Sequence, residues 1–447
     1  MTVLSNNWIT TDLESITEIL DYKRVPINSE ERQKRKENKI LSELYPYYGA
    51  TGQVDYINDY LFDGEYVLLG EDGAPFLDSL KNKAYIVSGK FWVNNHAHIL
   101  KGYISNKYLC FYLNQYNFIG HVTGTTRLKL NQSSMKSITI KVAPLNEQNR
   151  IVQKIEELFS DLDKATEDLK KTREKLKIYR KAVLKAAFEG KLTEEWRKKN
   201  IPRLAEEVLK IKNENIDELF KVPKSWKWLK ILHIGEVETG TTPRKNVKSN
   251  YGDDYPFYKP TDLETGINVR NAREYLSVKG LKKARFLPKN SILVTCIGAT
   301  IGKTGIIRLP GASNQQINAI IPYKFTNPDF IYYQVISPYF QEQIISKSSS
   351  TTLPILNKSR FKELLIVMAT KEEQEQILQE IESRLSVCDK VEKTVEQNLN
   401  KIEYLRQSIL KKAFEGKLVP QDPNDLPAGE LLKQIKIKKD KMSKNGK

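Results

Sequence analysis

One stretch of this chain is written twice. The segment EQNRIVQKIEELFSDLDK…KAVLKAAFEGKL, residues 147–192, returns as EQEQILQEIESRLSVCDK…QSILKKAFEGKL, residues 373–418, at a constant offset of 226 and without a gap. Of the 48 positions from 145 to 192, 19 are identical in the second copy. Whatever one copy packs against, the other must find an equivalent, so the repeat restricts the chain to architectures with an approximate twofold.

Each copy is a helix by its apolar spacing. Ile151, Ile155, Leu158, Leu162, Ala165, Leu169, Thr172, Leu176, Tyr179, Val183 and Ala186 step by alternating four and three. Their partners are Ile377, Ile381, Arg384, Cys388, Val391, Val395, Asn398, Ile402, Leu405, Ile409 and Lys412. This is the seam of a coiled coil with Glu and Lys on its flanks. Two equivalent helices in one chain most simply pair with each other; the plainer alternative docks each on a separate core. Both copies end in Ala-Phe-Glu-Gly-Lys-Leu, which sets Gly190 and Gly416 where a helix C-terminus favours glycine.

The blocks between the helices echo each other more faintly. YPYYGATG (45–52) answers YPFYKPTD (255–262), and GTTRLKLN (124–131) answers STTLPILN (350–357). Short Tyr, Val and Ile runs between Gly, Pro and Asn turns predict an α/β or mostly β globule in each block. The expected class is α+β, in the order globule (1–145), helix (146–192), connector (193–221), globule (222–368), helix (369–418) and tail (419–447). Similar small segments, LAEEVLKIK (204–212) and PAGELLKQIK (427–436), follow the helices, with Pro202, Pro223, Pro420, Pro423 and Pro427 at the joints.

Pro-Leu-Asn-Glu-Gln (144–148) opening the first helix and Ala-Phe-Glu-Gly-Lys-Leu closing both, in this layout, resemble the specificity subunit of Type I restriction-modification systems. The resemblance covers essentially the whole chain; the second helix opens on MATKEEQ (368–374) and lacks the Pro-Leu. It implies two DNA target recognition domains, each reading half of an interrupted site. Two antiparallel helices would set the gap and hold two methyltransferase subunits, with restriction and motor subunits joining the complex. It also implies that S-adenosylmethionine, ATP and Mg belong to the partners and that this chain binds no cofactor. Independently, 151–186 as helix spans about 50 Å, enough to set two globules on sites a DNA turn or more apart.

Charge agrees with that reading. Of a net +17, residues 222–368 hold 21 Lys+Arg against 10 Asp+Glu, whereas residues 1–145 hold 16 against 15. Concentrated positive charge suits a phosphate backbone. The opening MTVLSNNWITTDLES has no basic start or apolar run, and no stretch approaches the roughly 20 apolar residues of a membrane span, so a soluble cytoplasmic protein is expected. Three scattered cysteines, Cys110, Cys296 and Cys388, predict buried thiols rather than disulfides or a zinc knuckle.

Catalytic chemistry is missing from the motifs. CIGATIGKTG (296–305) imitates a phosphate loop, but Ile297 stands where the first glycine belongs, and TGIIRLPGAS continues as a hairpin instead of opening a helix. NPDF (327–330) lacks the second proline of an adenine methyltransferase motif. His96 and His98 lack a third metal ligand and read as hydrogen-bonded strand positions. The expectation is a non-catalytic subunit without metal.

Base and phosphate contacts need Arg, Lys, amide and hydroxyl side chains on loops. In the first globule the candidates are Lys23, Arg24, Tyr48, Thr51, Asn95, His96, Thr125, Thr126 and Arg127. In the second they are Thr241, Thr242, Arg244, Lys245, Lys259, Thr261, Lys303, Asn314, Gln315, Ser349, Ser350, Thr351 and Thr352. Lys303, on a glycine-flanked turn, is the preferred phosphate contact. Two rival classes are a coiled-coil scaffold joining protein-binding domains without DNA, and a fused enzyme that cuts or methylates DNA itself.

Overall fold

The computed structural model describes residues 7–200, 208, 210–211, 216–349 and 353–445. The chain divides into two units, residues 1–170 with 395–447 and residues 171–394. Each unit therefore owns one globule and one half of each long helix, Leu145–Phe188 and Lys371–Phe414.

In the first unit, β1 (Ile9–Asp12) pairs with β8 (Thr139–Val142). A six-stranded sheet runs in the order β2 (Thr17–Ile19), β7 (Ala97–Gly102), β5 (Phe62–Gly70), β6 (Ala84–Val93), β3 (Tyr45–Gly49), β4 (Gly52–Ile57). All neighbours are antiparallel except β3 and β6, which place Tyr47 opposite Trp92 and Tyr48 opposite Val93. The helix Asn106–Gln115, capped by the Ser105 hydroxyl, covers β5 and β6 with its Leu109 and Leu113 face.

The second unit repeats this plan in pieces. β9 (Lys227–Lys230) pairs with β17 (Leu365–Met368), as β1 does with β8. β10 (Gly235–Thr239), β16 (Ile317–Pro322), β13 (Ile292–Thr295) and β14 (Thr304–Ile306) reproduce the first half of the sheet. β12 (Tyr275–Leu276), β11 (Tyr251–Tyr258) and β15 (Ala312–Ser313) reproduce the rest, with Tyr258 parallel to Ser313 as Tyr48 is to Val93. The 226-residue repeat is thus accompanied by a repeated globule whose sequence has drifted.

The long helices supply core to both units. In the first, Ile151 and Ile155 from one helix and Phe414 from the other are buried with Leu13, Val67 and Leu113, and the Phe414 ring meets Tyr112 edge-on at 4.9 Å. In the second, Ile377, Ile381 and Phe188 are buried with Trp228, Ile292 and Phe330. Each phenylalanine contributes about 2–3 kcal/mol by burial. Both helices end in the same cap. Gly190 and Gly416 take φ of 75° and 69°, and the amides of Lys191 and Lys417 reach back to the carbonyls of Ala186 and Lys412.

The repeated Glu-Gln at the helix entrances now has a physical role. Gln148 Nε2 donates to the Ala143 carbonyl at 2.8 Å and Gln374 Nε2 to the Ala369 carbonyl at 2.9 Å, tying each helix to the strand before it. Glu373, fully buried, accepts from Trp226 Nε1 (2.8 Å), Thr193 Oγ1 (2.8 Å) and Arg197.

The helices pair antiparallel within each unit. In the first, Arg406 reaches Asp163 at 2.5 Å and lies 4.8 Å over the Phe159 ring; in the second, Arg180 reaches Asp389 (2.7 Å) and Glu392 (2.8 Å). The predicted seam needs correction on both helices: on the first, Ala165 and Tyr179 face solvent while Thr166 and Arg180, one residue later, are half-buried, and on the second the shift is more extensive. Ile381, Cys388, Val395 and Ile402 are buried as expected, but Arg384, Val391, Asn398, Leu405 and Lys412 face solvent. The alternate seam positions are instead Leu385, Glu392, Leu399, Arg406 and Ala413, one residue later. Two of these are charged side chains that lie along the seam and end in ion pairs, which an apolar count overlooks. The segment LAEEVLKIK lies largely outside the described residues, while its counterpart lies in the helix Ala428–Asn445.

Candidate nucleic-acid interface

The loops at one end of each sheet are cross-linked in the same way. In the first unit the Asn94 amide donates to the Tyr48 carbonyl, Glu71 to His96, Leu130 to Glu71, and Gly73 to Leu128. In the second unit Asn314 donates to Tyr258, Cys296 to Gln316, Leu356 to Cys296, and Gly298 to Pro354. Asn94 Oδ1 accepts from the His96 amide at 2.8 Å, and Asn314 Oδ1 from the Gln316 amide at 3.2 Å. These bonds fix an equivalence of 93–98 with 313–318 and of 71–73 with 296–298 that the sequence does not display, and they match 128–130 with 354–356, within the motifs that already answer each other in sequence.

The first cluster gathers Arg24, Tyr48, Asn95, His96 and Arg127. Arg24 is consumed internally: Nη1 donates to Glu71 Oε2 (2.5 Å) and to the Ala97 carbonyl (3.1 Å), and Nη2 lies 3.5 Å from Asp21. His98 Nδ1 sits 2.6 Å from Asp21 and its Nε2 2.8 Å from the Leu130 carbonyl. Burial by itself would raise the Asp21 carboxyl, but the hydrogen bond and charge of His98, the Ile99 amide and Arg24 outweigh it and hold the group below the usual carboxylate range. Asp21, Glu71 and His98 bring their ligand atoms within 4.8 Å of one another. With Arg24 and Gln132 also donating into the group, it is a charge network that braces the loops. His98 is a hydrogen-bonded strand position, as expected; His96 lies in the turn before β7 and holds Asp72 at 2.6 Å. Tyr48 is half-buried against Tyr85 and Phe91. Asn95, Thr125, Thr126 and Arg127 are exposed around this cluster, Lys23 is exposed beside Arg24, and Thr51 is exposed in the β3–β4 turn.

The second cluster gathers Thr241, Thr242, Asn314, Gln315 and Ser349. Thr241 donates its amide to the Ser313 carbonyl at 2.9 Å, and Thr242 Oγ1 donates to Gln315 Oε1 at 2.6 Å. Gly240 permits that approach, since a Cβ there would stand 2.1 Å from the Asn314 carbonyl oxygen. Asn314 is buried and Gln315 exposed; Ser349 pairs with Ile355. Ser350, Thr351 and Thr352 lie outside the described residues. CIGATIGKTG runs from the end of β13 into β14 through turns at Gly298 and Gly302, with φ of 98° and 86° and no helix following. Lys303, partly exposed, lies 3.4 Å from Glu264. Lys259 is ion-paired with Glu274, and Thr261 is exposed at the start of the 3-10 helix Pro260–Asn268.

Sequence reading named Arg244 and Lys245 but passed over the rest of the basic ridge they belong to, Lys248, Lys279, Lys282 and Lys283. The Gly280 position packs directly on the Asn250 carbonyl, so exposed Arg244, Lys245 and Lys248 come beside exposed Lys279, Lys282 and Lys283. It also passed over Glu71 and Asp72, although two acids before a glycine turn in a set of cationic candidates are a visible signal. All three cysteines are buried and free. Among the described residues no helix is long and apolar enough to cross a membrane.

Comparison with known proteins gives one consistent result. The profile of the Type I restriction modification DNA specificity domain matches residues 6–177 and 223–404. The EcoDI specificity subunit of Escherichia coli is 25% identical over 416 residues, covering 88% of this chain and 89% of that protein. The HindI specificity subunit of Haemophilus influenzae is 33% identical over 154 residues, covering 34% of this chain and 33% of that protein. A solved chain of a type I R-M system superposes with a TM-score of 0.65 at 16% identity, over 93% of this chain and 99% of that one. The HsdS subunit from Thermoanaerobacter tengcongensis gives 0.53 at 15% identity, over 93% and 98%. These structural likenesses establish the fold.

Proposed function

From the premise that this chain belongs to the Type I restriction modification DNA specificity family, we propose that it is the sequence-reading, non-catalytic subunit of such a complex. Residues 1–145 read one half of an interrupted double-stranded DNA site and residues 222–368 the other. The helices in 146–192 and 369–418 set the interval and present the docking face for two methyltransferase subunits, with 193–221 and 419–447 as connector and tail. S-adenosylmethionine, ATP and Mg act on the partner subunits, and the complex works in the cytoplasm. Lys23, Thr51, Asn95, Thr125 and Thr126 in the first unit contact DNA, as do Thr241, Thr242, Gln315 and Lys303 in the second, with the Arg244–Lys245 ridge on phosphate.

The observation that carries this reading is the pair of equivalent loop clusters, each braced by internal hydrogen bonds and rimmed with hydroxyl, amide and cationic groups. Braced loops hold polar groups at fixed positions, which base readout requires. A scaffold without DNA would have no use for the ridge. The test is a titration of fluorescent duplexes with the chain purified in complex with its modification subunit, across a series of salt concentrations. Affinity falling linearly in log salt, with one duplex sequence at least a thousandfold tighter than random DNA, is expected. Equal weak affinity for every duplex would end the reading.

A further inference from the structure

We propose that Arg127 reads a guanine in the half-site of the first unit, and that Asp72 and His96 aim it there; this inference rests on the function proposed above. Asp72 Oδ1 receives Arg127 Nη2 at 2.7 Å and His96 Nδ1 at 2.6 Å, while the same nitrogen of Arg127 lies 3.4 Å from His96. The Arg127 side chain is 61% exposed, against 20% for Asp72 and 37% for His96. Among the described residues the hydrogen bonds of Arg127 run from Nη2 alone, and because His96 Nδ1 donates to Asp72, Nη1, Nε and the second Nη2 hydrogen are left to an outside acceptor.

The backbone is shaped around this contact. Gly73 takes φ of 70°, and a Cβ there would come within 3.3 Å of Arg127 Nε. The Gly73 amide holds the Leu128 carbonyl at 3.0 Å, and Asp72 bridges to Lys129, so the carboxylate and the guanidinium keep one register. A free arginine on a loop serves any phosphate. One anchored by a carboxylate is partly neutralised, and the carboxylate itself repels phosphate, so the arrangement suits a neutral acceptor of fixed geometry. Nη1 and that second Nη2 hydrogen lie on one edge of the planar guanidinium, a fork that matches O6 and N7 of guanine in the major groove.

The equivalent places in the second unit hold Ile297 for Asp72, Gln316 for His96 and Leu353 for Arg127. The guanine requirement therefore falls in one half-site only.

The test maps the methylated motif in cells carrying the chain and its modification subunit, for wild type, Arg127→Ala and Asp72→Asn. Arg127→Ala should relax one guanine position of one half-site while the other half and the spacer stay unchanged; Asp72→Asn should relax the same position less. As a second measurement on unaltered protein, duplexes with 7-deazaguanine at each guanine of the motif should lose about 5- to 150-fold affinity at that one position. That position should cost nothing further in Arg127→Ala. An unchanged motif in Arg127→Ala, or a uniform loss on all duplexes including random DNA, overturns the inference while leaving the proposed function standing. Absence of any chain-dependent motif with wild type would instead remove the proposed function.

Discussion

If the long helices set the interval between half-sites, shortening both must shorten the recognised DNA. The pairs Asp163–Arg406 and Arg180–Asp389 lie 17 residues apart along each helix, so facing heptads can be identified. Residues 164–170 and 399–405 begin immediately beyond the first pair. Deleting both keeps that pair, keeps the seam, and removes about 10 Å of helix. At about 3.4 Å per base pair this predicts a spacer shorter by about three base pairs. Three base pairs also turn the duplex by roughly 100°, since a turn takes 10–10.5, whereas seven helical residues fall only about 20° short of two turns. The duplex must absorb most of that difference by twisting, so methylation at the new motif should be slower than at the old one. Deleting the heptad from the first helix alone is a different perturbation. Ile151 and Phe188 anchor that helix in separate cores, as Ile377 and Phe414 anchor the other. With helices of unequal length one anchor must leave its core, at about 3–5 kcal/mol for a phenylalanine, and methylation should vanish. Motifs are read by sequencing methylated adenines in host DNA. A double deletion that methylates with the original spacer would refute the reasoning.

Glu373→Ala strands Trp226, Thr193 and Arg197 around a buried gap and should cost about 3 kcal/mol, read as a lower urea midpoint in tryptophan fluorescence; an unchanged midpoint would show the network to be idle. Because the Asp21 carboxyl is depressed in the folded state, its contribution is complete above the unfolded value near 3.8 and is lost as pH falls through the lower folded value. The first unit should therefore loosen on acidification below about pH 4, and Asp21→Asn should flatten that dependence in circular dichroism melts. Lys303→Ala should weaken binding to all duplexes alike and lower the salt slope by about one; unchanged affinity and slope would remove Lys303 from the phosphate contacts.

How much of this was legible depends on which physical constraint each residue obeys. The helix pair was legible because seam burial and the glycine cap recur at a fixed offset. The charged seam residues Glu392 and Arg406 were not, since their aliphatic stems lie along the seam while their ends form ion pairs. The globules were only faintly matched, because their equivalence is carried by backbone bonds such as Asn94 to Tyr48 and Asn314 to Tyr258, which any side chain nearby permits. Arg24 looked in the sequence like Arg127; only the fold reveals that Glu71, Asp21 and a carbonyl consume the first and leave the second half free.

The function proposed above requires that this chain alone decide where its complex acts on DNA. The most direct measurement is to express the modification subunit with and without this chain in one host and map adenine methylation genome-wide. One interrupted motif, its two halves separated by a constant spacer, should be present only when the chain is present. The same methylation in both cells, or none when the two subunits co-purify intact, would contradict it.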